Sequence, residues 1–308
     1  MLEEISKKKA KVYSKSWNYN YFIQFDIANF YDCINLNILE KKVRCVISNK
    51  QKWFVDLLFF FLKNQNKDFI WYNEKWVGLP QDEIGDCSRI LANFYLQDYD
   101  DTLKNIADKL DVKYLRYADD QLIFSKDKKS AEQVLFEASK ELHKIWLNIN
   151  SSKVKIFENK DTFNTYRAFE IFDLLWDKND IKNIERAIDI FFDLELKWIT
   201  FKKDSVLNRF LSCNLWEIDI SKRIKLLSIF CEEKYLANAS SFVLQSIYTL
   251  LSDNGMKEDF LQKLMDLSNK VLFNSYHYNL LRLHDEINDS IIDPRQLKSR
   301  IEIIKFKK

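Results

Sequence analysis

The sequence predicts an α+β chain, in which a small antiparallel sheet with helices is followed by an all-α half. Its 308 residues include only 3 Gly and 2 Pro, where average usage would give roughly 22 and 15. Because the tight turns of an all-β sandwich need these residues, helix must dominate. Strand patterns occur only in the first half of the chain, and helical periodicity takes over in the second.

The first half alternates predicted strands and helices. The apolar run Tyr21–Asp26 is typical of a buried strand that ends in an acid. Two short strands, 112–118 and 121–125, are joined by the pair Asp119-Asp120. The remaining predicted elements are helices at 36–48, 51–65, 88–103 and 131–146, an aromatic hairpin at 69–76, a capping box of Ser130 and Gln133, and a strand at 153–157.

The character of the chain changes beyond about residue 165. Apolar residues at helical spacing follow one another there without a strand pattern or a strict repeat, which is typical of an antiparallel bundle or a stack of helix pairs. We therefore predict two domains, 1–160 and 161–308. The predicted helices of the second are 182–202, 205–213, 220–236, 238–252, 257–273, 276–288 and 294–305.

Composition and charge exclude several classes of protein. The 48 Lys and Arg against 46 Asp and Glu leave a net charge of +2, which neither favours nor excludes nucleic acid, since binding needs only a local basic face. The five cysteines have no C-x-x-C pair and no nearby His, which argues against zinc and disulfides and favours a cytoplasmic location. The most apolar run, 53–62, is too short to cross a bilayer, and the N-terminus lacks a signal-peptide core. No membrane partner is expected.

The stretch between residues 78 and 85 is the first indication of a functional site. It holds Gly78, Gly85 and Pro80, which are two of the three glycines and one of the two prolines. In a chain that otherwise avoids these residues, they mark a place where the backbone turns sharply.

Three acids stand at the ends of predicted strands, and they suggest chemistry. Asp26 closes the first strand, and Asp119-Asp120 lies between two apolar strands. An Asp-Asp pair by itself is most often a polar turn. Together with a third carboxylate from a neighbouring strand, however, it could bind Mg²⁺, and two such ions are the usual machinery of nucleotidyl transfer.

Four motifs in order decide between these interpretations, because together they resemble reverse transcriptases. Residues 25–32 (FDIANFYD) resemble motif A, and Gly78-Leu79-Pro80-Gln81 with 88–96 (SRILANFYL) resembles motif B. Residues 117–120 (YADD) resemble motif C, and 147–153 (LNINSSK) resemble motif D. The resemblance covers about residues 20–157. The residues of motifs A and B are most similar to those of bacterial abortive-infection and defence-associated reverse transcriptases.

The resemblance implies a polymerase palm over 1–160, an α-helical domain over 161–308, and a role for each matching residue. Asp26 and Asp119 would ligate two Mg²⁺ or Mn²⁺ ions, with Asp120 assisting and the Ile27 carbonyl completing the shell. For the nucleotide, the implied contacts are Tyr31, which would clash with a ribose 2′-OH, Gln81 at the nascent base pair, and Lys153 near the triphosphate. For these three, a core aromatic, a turn residue and a solvated lysine remain alternatives.

The sequence also departs from the family pattern. Only 25 residues precede Asp26, so we expect the fingers that normally grip the triphosphate to be reduced or missing. Six residues, where about four are expected, separate Gln81 from Ser88, and the small residues common after the Gln are largely lost. No primer-grip hairpin is recognisable after Phe157, although 163–176 could contain one.

These observations lead to one main hypothesis and two alternatives. The main hypothesis is a Mg²⁺-dependent DNA polymerase of reverse-transcriptase type in bacterial antiphage defence, which adds dNMP from dNTP with a noncoding RNA template or without one. The first alternative is a subunit whose fingers come from another chain, and the second is a catalytically silent nucleic-acid-binding module. The expected partners are dNTPs, RNA template or DNA product, and a second protein subunit or further copies of the chain.

Overall fold

The computed structural model describes residues 10–13, 19–64, 75–80, 86–251, 254–271, 274–287 and 291–299. The chain forms two compact units, Met1–Asn164 and Thr165–Lys308. The predicted hairpin at 69–76 falls almost entirely outside the described residues, as do Gln81 and Gly85.

The first unit is built on a four-stranded antiparallel sheet with the order β2-β3-β1-β4. Every residue of β1 is buried, which explains its unbroken apolar sequence. The strands are β1 (Tyr21–Asp26), β2 (Lys113–Tyr117), β3 (Asp120–Ser125) and β4 (Lys155–Phe157).

The helices of the first unit are α1 (Phe30–Cys33), α2 (Leu36–Val46), α3 (Lys52–Asn64), α4 (Asp86–Lys109), α5 (Lys128–Lys144) and α6 (Lys160–Tyr166), with 3-10 turns at Asn49–Gln51 and Ser151–Lys153. The last two residues of α6 belong to the second unit. Helices α4 and α5 cover one face of this sheet, and α6 packs on part of the other face. Helices α4 and α5 pack on each other and on the sheet. Ile23 and Phe25 face this helical layer in one core cluster.

Side chains of alternate residues point to the opposite face of the sheet. Phe22 stacks there on Phe163 of α6, with ring centroids 4.6 Å apart, and meets Phe124 edge-on. Gln24 and Asp26 share this face with Phe22. The sheet therefore carries an aromatic cluster at one end of this face and polar side chains at the other.

One local prediction in this unit, the capping box of Ser130 and Gln133, is wrong. Helix α5 begins at Lys128 and is capped by Asp127, whose carboxylate accepts a hydrogen bond from the Ser130 N–H at 2.9 Å. Ser130 therefore lies inside the helix, and the predicted Ser130–Gln133 capping box does not form. Asp127 takes the cap because its backbone is extended, with φ −136° and ψ 159°.

The described residues of the second unit form helices and no strand. The helices are α7 (Phe169–Leu174), α8 (Ile181–Leu196), α9 (Lys203–Phe210), α10 (Ile220–Phe230), α11 (Glu233–Leu236), α12 (Ser241–Leu250), α13 (Asn254–Lys270) and α14 (Asn274–Ile287), and 294–299 is also helical. The segment 163–176, considered for a primer-grip hairpin, is instead occupied by α6 and α7. One large apolar cluster is the core of this unit, with Ile188, Phe210 and Leu244 fully buried.

The predicted α+β class, with a small antiparallel sheet followed by an all-α part, is confirmed by this architecture. Some predicted helices are shorter than expected or interrupted. Helix α8 ends at Leu196 because Trp198 takes a left-handed conformation with φ 56°, and the predicted helix 220–236 is interrupted between Phe230 and Glu233. None of the helices in the described ranges is both long and apolar enough to span a membrane.

Candidate active site

The ends of β1 and β3 bring the three predicted acids together. Asp26, the last residue of β1, lies directly opposite Asp120, the first residue of β3, in the antiparallel register. Directly opposed residues share a face of the sheet, with Cβ atoms about 5 Å apart. Asp119 lies in the turn just before Asp120, and its carbonyl accepts a hydrogen bond from the Ile27 N–H at 3.3 Å.

A second segment holds the end of β1 from the other side. The Ala28 N–H donates to the Asn148 carbonyl at 2.8 Å, and the Asn150 N–H donates to the Asp26 carbonyl at 2.8 Å. These bonds form an isolated bridge between Ile27 and Ile149. The backbone around Asp26 is thus fixed between the motif C turn and the motif D segment.

Asp26 is a buried carboxylate with only one of its oxygens satisfied. It is 5% exposed, and its Oδ2 accepts a hydrogen bond from Lys153 Nζ at 2.5 Å. Within the part of the chain that the structure describes, its Oδ1 is buried and has no hydrogen-bond partner. Since an unpaired buried acceptor is costly, this oxygen is the atom that a bound cation would satisfy.

Asp119 and Asp120 differ in their surroundings. Burial, together with the negative charge of nearby Asp26, raises the pKa of Asp119 to about 6. Asp120 is exposed, and its Oδ1 accepts from Gln24 Nε2 at 3.4 Å. Like-charged carboxylates held together in this way favour either a proton or a cation between them.

The three carboxylates do not form a closed metal shell in this conformation. In the part of the chain that the structure describes, no group of three or more His, Cys, Asp or Glu side chains is arranged to hold a metal ion. One oxygen of Asp26 is engaged by Lys153, and Asp120 is engaged by Gln24. The donor set still suits Mg²⁺ or Mn²⁺, which prefer carboxylate and carbonyl oxygens.

The predicted nucleotide contacts are placed as follows. Tyr31 is half-buried against Phe30, with ring centroids 5.2 Å apart. Burial raises the pKa of its hydroxyl, the charge of Arg89 opposes this, and that of Asp119 adds to it. Tyr31 therefore lies at the edge of the core and within electrostatic reach of the acids. Lys153 pairs with Asp26, and Gln81 lies outside the described residues.

The turn at residues 78–80 is anchored to motif A. The Gly78 N–H donates to the Ile34 carbonyl and the Leu79 N–H to the Tyr31 carbonyl, both at 2.9 Å. Gly78 has φ 98°, and a Cβ there would lie 3.4 Å from the Asp32 carbonyl oxygen. The backbone conformation at this position therefore requires the glycine.

Two residues near the acids, Arg116 and Arg89, were missed by the sequence interpretation. Arg116, on β2, contacts Asp100 of α4 and the carbonyl of Ala118, next to the acids. Arg89, at the start of α4, acts electrostatically on Tyr31. The sequence did hold a signal for Arg116, which is a charged residue in a short strand beside an acidic turn. Strand alternation would have placed its side chain on the face that packs against the helices.

Comparison with known proteins identifies the family. The sequence pattern described as reverse transcriptase (RNA-dependent DNA polymerase) matches residues 2–175, more than half of the chain. No curated protein matches the sequence.

Among solved structures, three structures of telomerase match this chain at low sequence identity. Apo telomerase from Candida tropicalis shares 12% identity with a TM-score of 0.41, over 88% of this chain and 54% of that chain. Telomerase from Candida albicans with a TWJ fragment of telomeric RNA shares 11%, with a TM-score of 0.40, over 94% and 52%. The Candida tropicalis enzyme with a TWJ fragment shares 12%, with a TM-score of 0.38, over 86% and 52%.

The chain spans about half the length of these telomerase chains. The family match covers all of motifs A to D, which contain the opposed acids at the ends of β1 and β3. On this basis the chain belongs to the reverse transcriptase (RNA-dependent DNA polymerase) family.

Proposed function

We propose that this protein is a nucleotidyltransferase that adds dNMP from dNTP to a 3′-OH, as an RNA-directed DNA polymerase. The observation that carries the proposal is the register of β1 and β3. It sets Asp26 opposite Asp120 with Asp119 beside them, at a place where one buried Asp26 oxygen has no hydrogen-bond partner among the described residues.

The residues present fit a pair of divalent cations. Asp26, Asp119, Asp120 and the Ile27 carbonyl would hold them, in the roles that the sequence assigned. When bound, Mg²⁺ or Mn²⁺ lowers the pKa of the attacking hydroxyl and stabilises charge on the leaving pyrophosphate. Lys153 donates to the triphosphate from the same side, and the Tyr31 ring excludes a 2′-OH.

The direct test is incorporation of labelled dNTP by purified protein, with an RNA template, a DNA template or none. Asp119→Asn should abolish incorporation while the protein stays folded, because the change is nearly isosteric and removes one ligand charge. Asp101→Asn, an exposed acid on α4, is the matched control and should keep full activity. Undiminished synthesis in Asp119→Asn would exclude this mechanism. Inactive wild-type protein that still binds RNA would favour the silent binding module.

The biological role belongs to the same proposal. The residues of motifs A and B resemble those of defence-associated reverse transcriptases, which supports a role in bacterial antiphage defence with a noncoding RNA template. The five free cysteines suit the reducing cytoplasm. The test is a phage challenge of cells that carry the gene at its native locus. Wild type should reduce plaque numbers and Asp119→Asn should not. Equal protection by both would separate the defence role from polymerisation.

A further inference from the structure

The turn that carries the acids is held in an unusual backbone conformation. Ala118, between Tyr117 and Asp119, has φ 53°, in the left-handed region that non-glycine residues rarely occupy. Its carbonyl accepts a hydrogen bond from Arg116 Nη1 at 2.7 Å. A conformation of this kind persists when its surroundings impose it.

Arg116 is itself fixed by α4. Its Nε and Nη2 donate to the two oxygens of Asp100 at 2.7 and 2.5 Å, and Nη1 also donates to Asn93 Oδ1 at 3.0 Å. The Arg116 side chain is only 9% exposed. Such a two-point contact orients the guanidinium plane as well as binding it. Helix α4, which begins in motif B, is in this way connected to the motif C turn.

The Arg116 side chain lies on the face of the sheet opposite to the one that carries Asp26 and Asp120. Its strand partner is Gln121, and both face the helical layer, whereas Tyr117 and Asp120 form the next pair and face the opposite side. Among the described residues, the Arg116 guanidinium donates to Asp100, Asn93 and the Ala118 carbonyl, and it does not donate to Asp119 or Asp120. It is therefore suited to shape the turn without meeting substrate.

We propose that Arg116 is a positioning residue, which ties the Ala118 carbonyl to Asp100 and Asn93 of α4 and so directs Asp119 towards Asp26. The role in catalysis rests on the proposed polymerase function, but the role in shaping the turn does not. Because α4 contains part of motif B, its contact with Arg116 also couples the position of motif B to the conformation of the turn that carries Asp119 and Asp120.

Other contacts keep α4 on the sheet when Arg116 is changed. Tyr99 of α4 and Tyr114 of β2 both donate to Oε1 of the fully buried Gln121, at 2.5 and 2.8 Å. This second link makes variants of Arg116 suitable for measurement, because the packing of α4 does not depend on the arginine alone.

The principal variant is Arg116→Lys, which keeps the charge next to Asp100 but cannot reach Asp100, Asn93 and the Ala118 carbonyl together. We expect kcat for dNTP incorporation to fall about ten-fold or more, KM for dNTP to change little, and Mn²⁺ binding followed by EPR to weaken about ten-fold. Lys113→Gln is the matched control, since Lys113 is also on β2 and also pairs with α4, through Asp108 at 3.7 Å. It should leave all three quantities unchanged.

A second measurement reports the turn itself and needs neither metal nor activity. The ¹³Cα and ¹³Cβ shifts of Ala118 in ¹³C-alanine-labelled protein depend on its backbone angles, and Ala118→Gly assigns the signal by removing it. The shifts should be those of a left-handed residue in wild type and should move towards the usual regions in Arg116→Lys. Adding Ala118→Gly to Arg116→Lys should recover part of kcat, because glycine enters the left-handed region freely.

The outcomes separate the two proposals. Unchanged Ala118 shifts in Arg116→Lys overturn the positioning role, whether or not the protein proves to be active. If the Ala118 signals move in Arg116→Lys while the wild type neither binds Mn²⁺ nor incorporates dNTP, the positioning role is upheld and the proposed function is rejected. If Arg116→Lys fails to fold, Asp100→Asn, which loosens the same guanidinium, should show the same changes to a smaller extent, and normal Ala118 shifts there would overturn the proposal.

Discussion

Asp119 is the residue whose environment most directly links chemistry to stability. Its raised pKa, about 6, means that the folded protein retains a proton that the unfolded chain has already released. Metal-free protein should therefore lose stability as pH rises from about 4 to 6, where the folded state binds more protons, and level off above that window.

Asp119→Asn tests this directly, because it removes the titrating group. In EDTA at pH 7.5 the free energy of unfolding of the variant should exceed that of wild type by about 1 kcal/mol, after allowance for screening by water. At pH 4 the two should be nearly equal. Urea denaturation at both pH values measures the difference. A variant less stable than wild type at pH 7.5 would contradict the interpretation.

Tyr31 carries the prediction about the sugar. If its ring blocks a 2′-OH, Tyr31→Ala should shift the preference between dCTP and CTP towards CTP by about ten-fold or more. Tyr31→Phe keeps the ring and should keep the preference. Competition between the two nucleotides in one incorporation assay measures the ratio. An unchanged ratio in Tyr31→Ala would leave Tyr31 as a core aromatic that packs on Phe30.

At the scale of the element, the 78–80 turn depends on one glycine. Gly78→Ala places a Cβ in a backbone with φ 98°, 3.4 Å from the Asp32 carbonyl oxygen. The change should cost about 1–2 kcal/mol of unfolding free energy, since L-residues avoid this conformation. Urea denaturation measures the loss, and Pro80→Ala, two residues along, is the control expected to cost less. Wild-type stability in Gly78→Ala would mean that the turn rearranges easily.

The start of α5 distinguishes the observed cap from the one that the sequence predicts. Asp127→Ala should cost about 1 kcal/mol, because the Ser130 N–H loses its acceptor. Ser130→Ala should cost much less, since the Ser130 side chain is not the cap. Thermal unfolding of both variants gives the comparison. A larger loss in Ser130→Ala would restore the predicted capping box.

At the scale of the whole molecule, the prediction concerns partners. A polymerase needs cations opposite the metal site to hold the triphosphate while charge develops on the leaving oxygens. We propose that another subunit, a further copy of the chain or nucleic acid completes the site. Protein expressed from its native locus should therefore elute in a complex heavier than the 37.1 kDa chain.

Size-exclusion chromatography with light scattering and the ratio of absorbance at 260 and 280 nm measures mass and nucleic-acid content together. Protein expressed alone is the comparison, and its polymerase activity should be lower. A monomer free of nucleic acid with full activity would contradict the prediction, because the chain would then hold the triphosphate unaided.

Local sequence patterns determined the elements and the candidate acids. The apolar run at Tyr21–Asp26, the helical spacing of the second half and the conformational demands of Gly78 all arise within a few residues of chain, so they can be recognised without a fold. The order of motifs A to D was also visible, and it indicated the family that the comparison then identified.

Tertiary structure alone decided how these parts meet. The register that opposes Asp26 and Asp120, the pairing of Lys153 with Asp26, and the contact of Arg116 with Asp100 join distant parts of the chain. Hydrogen bonds and burial between distant segments have no local signature, because they depend on which strands pair and which helix packs on them. The three acids can be recognised in the sequence, but the pairing of β1 with β3 decides that Asp26 and Asp120 face each other.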